Sequence, residues 1–500
     1  MRVSGRFKAV VSVLVLVGGP ARAADDTFGV GDGGDGPLIV DAGTLVINRY
    51  AVLRADANAG SSRLAVSSVD GFSAWKLVMV LQTTGLATTA SGESGPFKLS
   101  GPGPGQWELA RLESISSPPS TLALTKSLVA SFPANNTQVI LVPEYTEVTI
   151  GSAAMLTATP WDGGSGGVLA FFATGEVRNQ GEISVSGMGF RGGPGISDVF
   201  WDVEDCKELD EPVPSRAGYK GEGVAAGRYG PDAGGRGNVA NGGGGGDCNS
   251  AGGGGGANGG QGGKGGRSFD PKDGGRDVGG LGGAPLDYSL VDRLPLGGGG
   301  GAGHGEDGQT KAGGAGGGAI FIRAGSLSGT GTIAASGASA LDAGLSDSGV
   351  SDGASGGGAG GSVYLRFIGA AACGGIQANG GNGGSSPENF NGPGGGGGGG
   401  RVLLQASSAA SCSTSVIAGI AGTQTDPATP PHHGALPADA SDPAFAGAVE
   451  TLDGGYSVLP PADASLGLDY RAAACGCSQP GYAALLVLAL GIQWLRRRGH

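Results

Sequence analysis

The chain has 500 residues, of which 110 are glycine and 27 are proline, with 15% charged and 6% aromatic residues. This composition is unlike that of an ordinary globular enzyme, although 39% hydrophobic residues still permit a folded core. The formal net charge of −12 argues against a nucleic-acid partner, because phosphate binding needs a basic surface.

Residues 1–23 have the pattern of a secretory signal peptide. Arg2, Arg6 and Lys8 precede the apolar stretch 9–17, and a small-residue site ends at Ala23. The pattern predicts export with cleavage after Ala23. The alternative, an N-terminal membrane helix, is disfavoured because the apolar stretch, at about 1.5 Å per residue, falls well short of about 30 Å of hydrocarbon.

The C-terminus, residues 475–500, has a second targeting pattern. Cys475 and Cys477 flank a glycine, and the apolar run 482–495 ends at the arginine cluster 496–498. These residues resemble the myxobacterial C-terminal sorting tag. The resemblance implies a transmembrane segment, cleavage near Cys475 or Cys477 by a membrane-bound sorting protease, and retention at the cell surface or outer membrane. The alternative is a plain tail anchor, for which the apolar run is short.

Residues 24–165 have ordinary composition and predict a β-rich N-terminal domain. Short runs of β-branched and aliphatic residues are bounded there by Gly, Pro, Asp or Asn, as is typical of strands. The segment is long enough to bury its own core. The predicted strands are 37–40, 44–47, 64–66, 77–81, 139–142 and 148–150.

Residues 166–422 contain a repeat that predicts a parallel β-solenoid. A short apolar strand is followed by a second strand, and the unit recurs with the first strands at 167–172, 318–323, 361–366 and 400–405. Such units become stable when the next copy stacks on them. We expect three rows in register: Ile320, Val363 and Val402; Phe321, Tyr364 and Leu403; Arg323, Arg366 and Gln405.

Glycine runs connect these strands, and 65 of the 110 glycines lie within residues 231–400. The runs are either mobile linkers or extended helices of three residues per turn whose backbones hydrogen-bond side by side. We favour partial order, because strands hold both ends of the runs. The fold class predicted is therefore all-β, with a β-rich N-terminal domain and a β-helix-like solenoid.

The glycine runs leading into Ala319–Ile322 and Ser362–Leu365, together with 142–145 and 187–193, resemble large glycine-rich surface proteins of myxobacteria. Those proteins are named for adventurous gliding motility. The resemblance extends over residues 28–422 and implies a location in the cell envelope. The segment 74–77 departs from the pattern, because a Gly-Asp turn is expected there.

Four cysteines lie outside the C-terminal tag, an even number in a chain predicted to be exported. Three connectivities are possible. Proximity in sequence favours Cys206 with Cys248 and Cys373 with Cys412, each pair closing one glycine-rich excursion. A metal site is disfavoured by the wide spacing.

Two sets of residues are candidate binding sites. Asp202, Glu204, Asp205 and Glu208 are oxygen ligands that suit calcium, but a solvated acidic loop is favoured because the EF-hand spacing is absent. No cofactor is therefore predicted, with calcium as the one alternative. Arg323, Tyr364 and Arg366 are candidates for lining a polysaccharide groove, with Tyr364 as a stacking surface. Their alternative role is a polar ladder on an exposed strand face.

No catalytic residue is predicted. The segment 353–357 matches the Gly-x-Ser-x-Gly nucleophile pattern, but a chain so rich in Gly and Ser matches it by chance. Residues 423–474 are rich in Pro, Ala and Asp and predict a stalk before the anchor.

The sequence thus indicates a surface-anchored structural or adhesive envelope protein, acting in gliding motility or surface attachment. Its expected partners are envelope or extracellular polysaccharide, other surface proteins, the sorting protease and the membrane. The alternative is an extracellular polysaccharide lyase or hydrolase on a β-helix.

Overall fold

A computed structural model describes residues 28–86, 91–195, 208–210, 217–225, 233–269, 276–305, 310–345, 351–387, 390–406, 411–424, 435–438 and 448–452. Its regular elements are all strands, in agreement with the predicted fold class. They are β1 Leu38–Val46, β2 Tyr50–Val52, β3 Arg63–Ala65, β4 Leu77–Gln82, β5 Phe97–Lys98, β6 Trp107–Ser116, β7 Thr121–Leu124, β8 Thr137–Val142, β9 Glu144–Tyr145, β10 Val148–Thr157, β11 Val168–Asn179, β12 Glu182–Ser184, β13 Leu286–Asp287, β14 Ala319–Ser328, β15 Thr332–Ala334, β16 Ser362–Phe367, β17 Ala372–Gln377, β18 Arg401–Gln405, β19 Ser411–Ser415 and β20 Ala448–Leu452.

The two terminal targeting segments lie outside these ranges, so Ala23, Cys475 and Cys477 are not among the described residues. Within the described part of the chain, no helix is long and apolar enough to cross a bilayer.

The N-terminal half forms an antiparallel sheet of six strands in the order β2-β8-β4-β6-β7-β3. Its central strand β4 is buried along its whole length, because one face packs on a local core and the other on the solenoid. Strands β1 and β10 flank this sheet in sequence but belong to the parallel sheet, where they pair with each other.

The solenoid is a parallel sheet with the order β19-β17-β15-β12-β10-β11-β14-β16-β18-β20. The predicted rows are confirmed: Ile320 pairs with Val363 and Val363 with Val402, and the rows through Tyr364 and Arg366 are in the same register. The second strand of the last copy spans Ser411–Ser415 and places Thr414 opposite Ile376.

The first strand of each coil is buried on both faces, as expected for parallel strands that are covered on both sides. Ile320, Val363 and Val402 face the interior of the solenoid, where they meet the second strands at residues such as Ile333 and Ile376. The opposite face packs against the antiparallel sheet and the glycine-rich segments through Phe172, Phe321, Tyr364, Leu403, Trp107, Leu77, Met79 and Leu296.

The glycine runs are ordered and form a bundle of extended segments. In the segment 297–304, backbone N–H groups three residues apart donate to carbonyl groups of the same neighbouring segment. Residues 298, 301 and 304 donate to 257, 254 and 251, residues 297 and 300 donate to 317 and 314, and residues 299 and 302 donate to 222 and 219. A period of three with bonds only between segments is the geometry of packed three-residue-per-turn helices.

Glycine is required in this bundle because neighbouring backbones leave no room for a side chain. At Gly361, a Cβ atom would overlap the carbonyl oxygen of Gly318, and the N–H of the same residue donates to Ala335 O at 2.7 Å. The interior hydrogen bonds therefore depend on the missing side chain.

A disulfide joins Cys373 to Cys412, with the Cα atoms 4.8 Å apart. The predicted pairing of these cysteines is confirmed, and the bond connects β17 to β19 in neighbouring coils. Cys248 is also disulfide-bonded, whereas Cys206, its predicted partner, lies outside the described residues.

An ionic cluster fixes the start of the described chain to both sheets. The Arg111 guanidinium, from β6, donates two hydrogen bonds to the Glu144 carboxylate, from β9, at 2.8 and 2.9 Å. Asp32 Oδ2 lies 3.4 Å from the same guanidinium, and Lys76 Nζ pairs with Asp35 at 2.5 Å. The turn that holds the two aspartates is thereby held between the two sheets.

Candidate functional site

The predicted groove residues Arg323 and Tyr364 are buried, with 1% and 3% of their surface exposed. The Arg323 guanidinium lies 5.0 to 5.6 Å from four ring centroids and donates to the Tyr364 hydroxyl at 3.3 Å. The prediction of an open groove at these residues is wrong, as is the alternative of an exposed ladder. The antiparallel sheet covers this strand face through Trp107, and the other rings belong to Phe172, Phe321 and Tyr364.

The four rings around the Arg323 guanidinium form what we call the arginine cage, and this cage changes the pKa of Tyr364. Burial opposes ionisation of the phenol, but the charges and hydrogen bonds of Arg323 and Arg366 outweigh burial and lower the pKa of Tyr364. Arg366, the third predicted groove residue, is only partly buried. The cage stabilises the contact between the two sheets and offers no open ligand site.

The calcium candidates fall only partly within the described ranges. Glu208 is described and exposed, whereas Asp202, Glu204 and Asp205 lie outside the described residues. Across the described ranges, no group of three His, Cys, Asp or Glu side chains is placed to hold a metal ion.

Two serines have surroundings that bear on catalysis. Ser355, in the nucleophile-like pattern, is fully buried, and its hydroxyl accepts from Gly303 N at 3.0 Å and donates to Lys311 O at 2.5 Å. Ser91 Oγ lies 3.2 Å from Lys220 Nζ. Both of these groups also contact the Asp210 carboxylate, so the serine hydroxyl and the lysine are already engaged with a third side chain.

The most distinctive outward surface lies on three extended segments that directly follow the second strands of successive coils. They are residues 335–343, 378–386 and 416–424. In the middle segment the N–H groups of 380, 383 and 386 donate to 417, 420 and 423, and those of 381 and 384 donate to the glycine bundle at 358 and 355. The third set, 379, 382 and 385, points its side chains outwards.

The three segments together present an ordered grid of nine outward side chains, which we call the outer lattice. All nine are exposed or partly exposed. Successive residues along a segment are three positions apart, about 9 Å at about 3.1 Å per residue. The members are Ser336, Ser339 and Asp342 on the first segment, Asn379, Asn382 and Ser385 on the second, and Ile417, Ile420 and Thr423 on the third.

Hydrogen bonds to the backbone hold the lattice side chains in place. Asn379 Oδ1 accepts from Ile417 N at 3.0 Å, and Asn382 Oδ1 accepts from Ile420 N at 3.1 Å. Ser339 Oγ accepts from Asn382 N at 3.0 Å in the same way. All six side chains of the first two segments thus accept from the backbone of the next coil through an oxygen, and the Nδ2 groups of the two asparagines take no part in these bonds.

The lattice combines polar and apolar positions with almost no charge. Its one ionisable side chain is Asp342, and the carboxylate accepts from Ser385 N at 2.7 Å. Ile417 and Ile420 are 67% and 63% exposed. They border an open groove of about 940 Å³ that is also lined by Leu436 and Lys264.

The sequence contains a signal for the lattice that strand periodicity does not detect. Ser-x-x-Ser-x-x-Asp, Asn-x-x-Asn-x-x-Ser and Ile-x-x-Ile-x-x-Thr follow the second strand of successive copies. A period of three is invisible to a search for the period of two that marks strands.

No protein-family model matches the chain, and no curated protein matches it. Two solved structures overlap it: the Gp54 tailspike of Acinetobacter baumannii bacteriophage AP22, in complex with A. baumannii capsular saccharide, and the tailspike protein gp49 from Pseudomonas phage LKA1. Each is 9% identical over 78% of this chain, with TM-scores of 0.16 and 0.15. The chain spans 65% and 66% of their lengths. Overlap at this level does not establish a shared fold.

Proposed function

We propose that this chain is an exported, surface-anchored structural or adhesive envelope protein that holds an extracellular polysaccharide on its outer lattice. The observation that carries the proposal is the grid itself. Outward positions repeat on it every three residues along a segment and once per coil across segments, with polar side chains on the first two segments and the two isoleucines on the third. Regularly spaced side chains suit a polymer whose successive units present the same groups at regular intervals.

The chemistry of the lattice favours a neutral polysaccharide. Its amide and hydroxyl groups pair with sugar hydroxyls, and Ile417 and Ile420 offer apolar surface to the C–H faces of the rings. The nearly uncharged lattice lies on a chain of net charge −12, which repels anionic polymers. The backbone bonds of Asn379 and Asn382 hold them in place before binding, which lowers the entropy cost of association.

The location at the cell surface belongs to the same proposal. Its support is the signal pattern ending at Ala23, the sorting tag around Cys475 and Cys477, and the resemblance to glycine-rich surface proteins. In that setting a polysaccharide-holding surface would serve attachment or gliding motility.

A lyase or hydrolase acting on the same polymer is the competing function. Such an enzyme needs a converging acid and base at the bound polymer. None of the nine lattice side chains is a lysine, arginine or histidine, and the lattice contains the single carboxylate of Asp342. The side chains of the lattice therefore favour binding of the polysaccharide over its cleavage.

The decisive variant is Asn379→Asp combined with Asn382→Asp in the full exported chain. Aspartate keeps the oxygen that accepts from Ile417 or Ile420 N but replaces the amide donor with negative charge. The matched control is Asn58→Asp with Asn135→Asp, two exposed residues of the N-terminal half. The probes are cellulose, chitin and curdlan in co-sedimentation, with alginate as the anionic comparison.

We expect the wild type and the control pair to sediment with at least one neutral polymer, and the lattice pair to bind it at least tenfold more weakly. Failure of the wild type to bind any of the three neutral polymers, or equal binding by the lattice pair, would overturn the proposal. Release of reducing ends or unsaturated products by the wild type would favour the enzymatic function instead.

A further inference from the structure

We infer that Trp75 is a second saccharide site, on the antiparallel sheet and independent of the outer lattice, at which the indole stacks on a single sugar ring. The indole is 61% exposed, whereas Trp107 and Trp161 are 7% and 4% exposed. The Trp75 indole makes no ring contact and no hydrogen bond with any other described residue. A large aromatic group is thus presented to solvent.

The backbone at Trp75 is strained, which indicates a role for the side chain beyond packing. Its φ angle is +68°, a left-handed conformation that is an outlier for a bulky residue other than glycine. The segment that contains it, Ala74-Trp75-Lys76-Leu77, is the one that departs from the expected Gly-Asp turn. A glycine would relieve the strain at this position.

The strained conformation is held rigidly. Trp75 N donates to Leu112 O at 2.8 Å, and Trp75 O accepts from Arg111 Nη1 at 2.6 Å. Arg111 is itself fixed by its two hydrogen bonds to the buried Glu144 carboxylate. The indole is therefore presented from a clamped backbone, so little order is lost when a ligand stacks on it.

The polar groups beside the indole identify the ligand class. The Asp32 side chain is 56% exposed, and its Oδ2 atom lies 3.4 Å from the same Arg111 Nη1 that bonds Trp75 O. Lys76, the next residue in the chain, pairs with Asp35. An exposed aromatic side chain whose backbone lies close to the exposed Asp32 carboxylate suits a ligand with one apolar face and a rim of hydroxyl donors, which is the chemistry of a neutral pyranose.

The same carboxylates argue against the other ligands that stack on or bury tryptophan. The ion-paired cluster at the Trp75 backbone holds three carboxylates and two cations, so it does not attract the phosphates of a nucleic acid or of an anionic lipid surface. A hydrophobic protein partner would require a continuous apolar patch, whereas the groups placed beside Trp75 are charged. A sugar ring satisfies both the indole and the carboxylate.

The test uses the full exported chain and the soluble neutral hexaoses of cellulose, chitin and laminarin, with binding measured by calorimetry and by the emission of the wild-type tryptophans. We expect at least one hexaose to bind and to shift the emission. Trp75→Gly should bind it at least tenfold more weakly while its melting temperature stays equal to or above that of the wild type. Trp75→Phe should retain part of the affinity.

The control pair Asn58→Asp with Asn135→Asp should bind the hexaose like the wild type. None of the nine lattice residues is a tryptophan, so the emission shift reports binding at Trp75 and not at the lattice, and failure at the two sites is distinguishable. Absence of binding by all three hexaoses, or full affinity in Trp75→Gly, would overturn the inference. Loss of melting temperature in Trp75→Gly would show a structural role, and binding of anionic vesicles that requires Trp75 would show a lipid site; either result also overturns it.

Discussion

The rings of Phe321 and Tyr364 are stacked with their centroids 4.3 Å apart and their planes at 10°. They are partners in the parallel register of β14 and β16, so the stack runs along the axis of the solenoid from one coil to the next. Identical or similar residues at one position of successive copies thus contact each other directly. The repeat in the sequence therefore predicts which residues share a row.

Glu144→Gln should destabilise the fold by about 3 kcal/mol, because it leaves the Arg111 guanidinium with a neutral partner in a buried site. The Glu144 side chain is 2% exposed. The matched control is Glu176→Gln, whose partner Arg178 is 3.9 Å away and 59% exposed; it should change stability by less than about 0.5 kcal/mol. Urea unfolding of both variants measures the difference, and equal effects would contradict the prediction.

Gly361→Ala should cost about 1–3 kcal/mol, because the added methyl group overlaps the Gly318 carbonyl inside the glycine bundle. Gly95→Ala is the control, since a Cβ atom at Gly95 meets nothing within 4 Å. Thermal unfolding monitored by circular dichroism provides the comparison. A Gly361→Ala protein as stable as the control would mean that the bundle has room for a methyl group at this position.

Replacing both Cys373 and Cys412 with serine should lower stability by about 2–4 kcal/mol, since the bond closes a long loop in the unfolded chain. The two cysteines are 39 residues apart. Because β19 is an end strand of the sheet, amide exchange should accelerate first in 411–424. Treatment of the wild type with a reductant should reproduce the loss, and exchange that accelerates uniformly over the chain would contradict the local effect.

The acid stability of the protein should depend on His304. Burial lowers the pKa of His304 to about 3, whereas an unfolded histidine has a pKa of about 6.5. The folded chain holds the neutral ring, whose Nδ1 accepts from Ser250 N at 3.1 Å. Protonation therefore favours unfolding, so this contribution to stability is complete above about pH 6.5 and is lost as the pH falls towards 3.

His304→Gln removes this titration. The variant should be less stable than the wild type at neutral pH and should approach or exceed it near pH 4, because carboxylates titrate in both proteins and cancel in the difference. Denaturant unfolding across this pH range gives the curve. A stability difference that does not change with pH would refute the assignment.

The solenoid is predictable from the sequence because its determinants are local and repeated. Val363 and Val402 occupy the same position in their copies, and Cys373 and Cys412 are a single repeat apart. The glycine runs are harder to interpret, since composition alone fits both a linker and a packed helix. Their order depends on backbone partners in other runs, such as Gly254 for Gly301.

The burial of Arg323 is not predictable from the sequence, because it depends on contacts between distant segments. Trp107, which covers its guanidinium, comes from the antiparallel sheet, and no sequence pattern shows that this sheet packs on the solenoid. From the sequence alone, an arginine near the end of a strand is therefore predicted to be exposed to solvent. The outer lattice is missed for the opposite reason: its residues are close in sequence but follow a period of three.

The packing of the glycine runs has a consequence for resistance to proteases. A protease must draw an extended stretch of substrate into its cleft, and runs of small residues in open linkers are easily taken. Here the runs 252–256 and 394–400 are buried, with amides already engaged by neighbouring segments. Among the described residues, digestion should therefore begin at exposed loops, such as the turn at Asn58 and Gly60, and should reach the glycine-rich interior last.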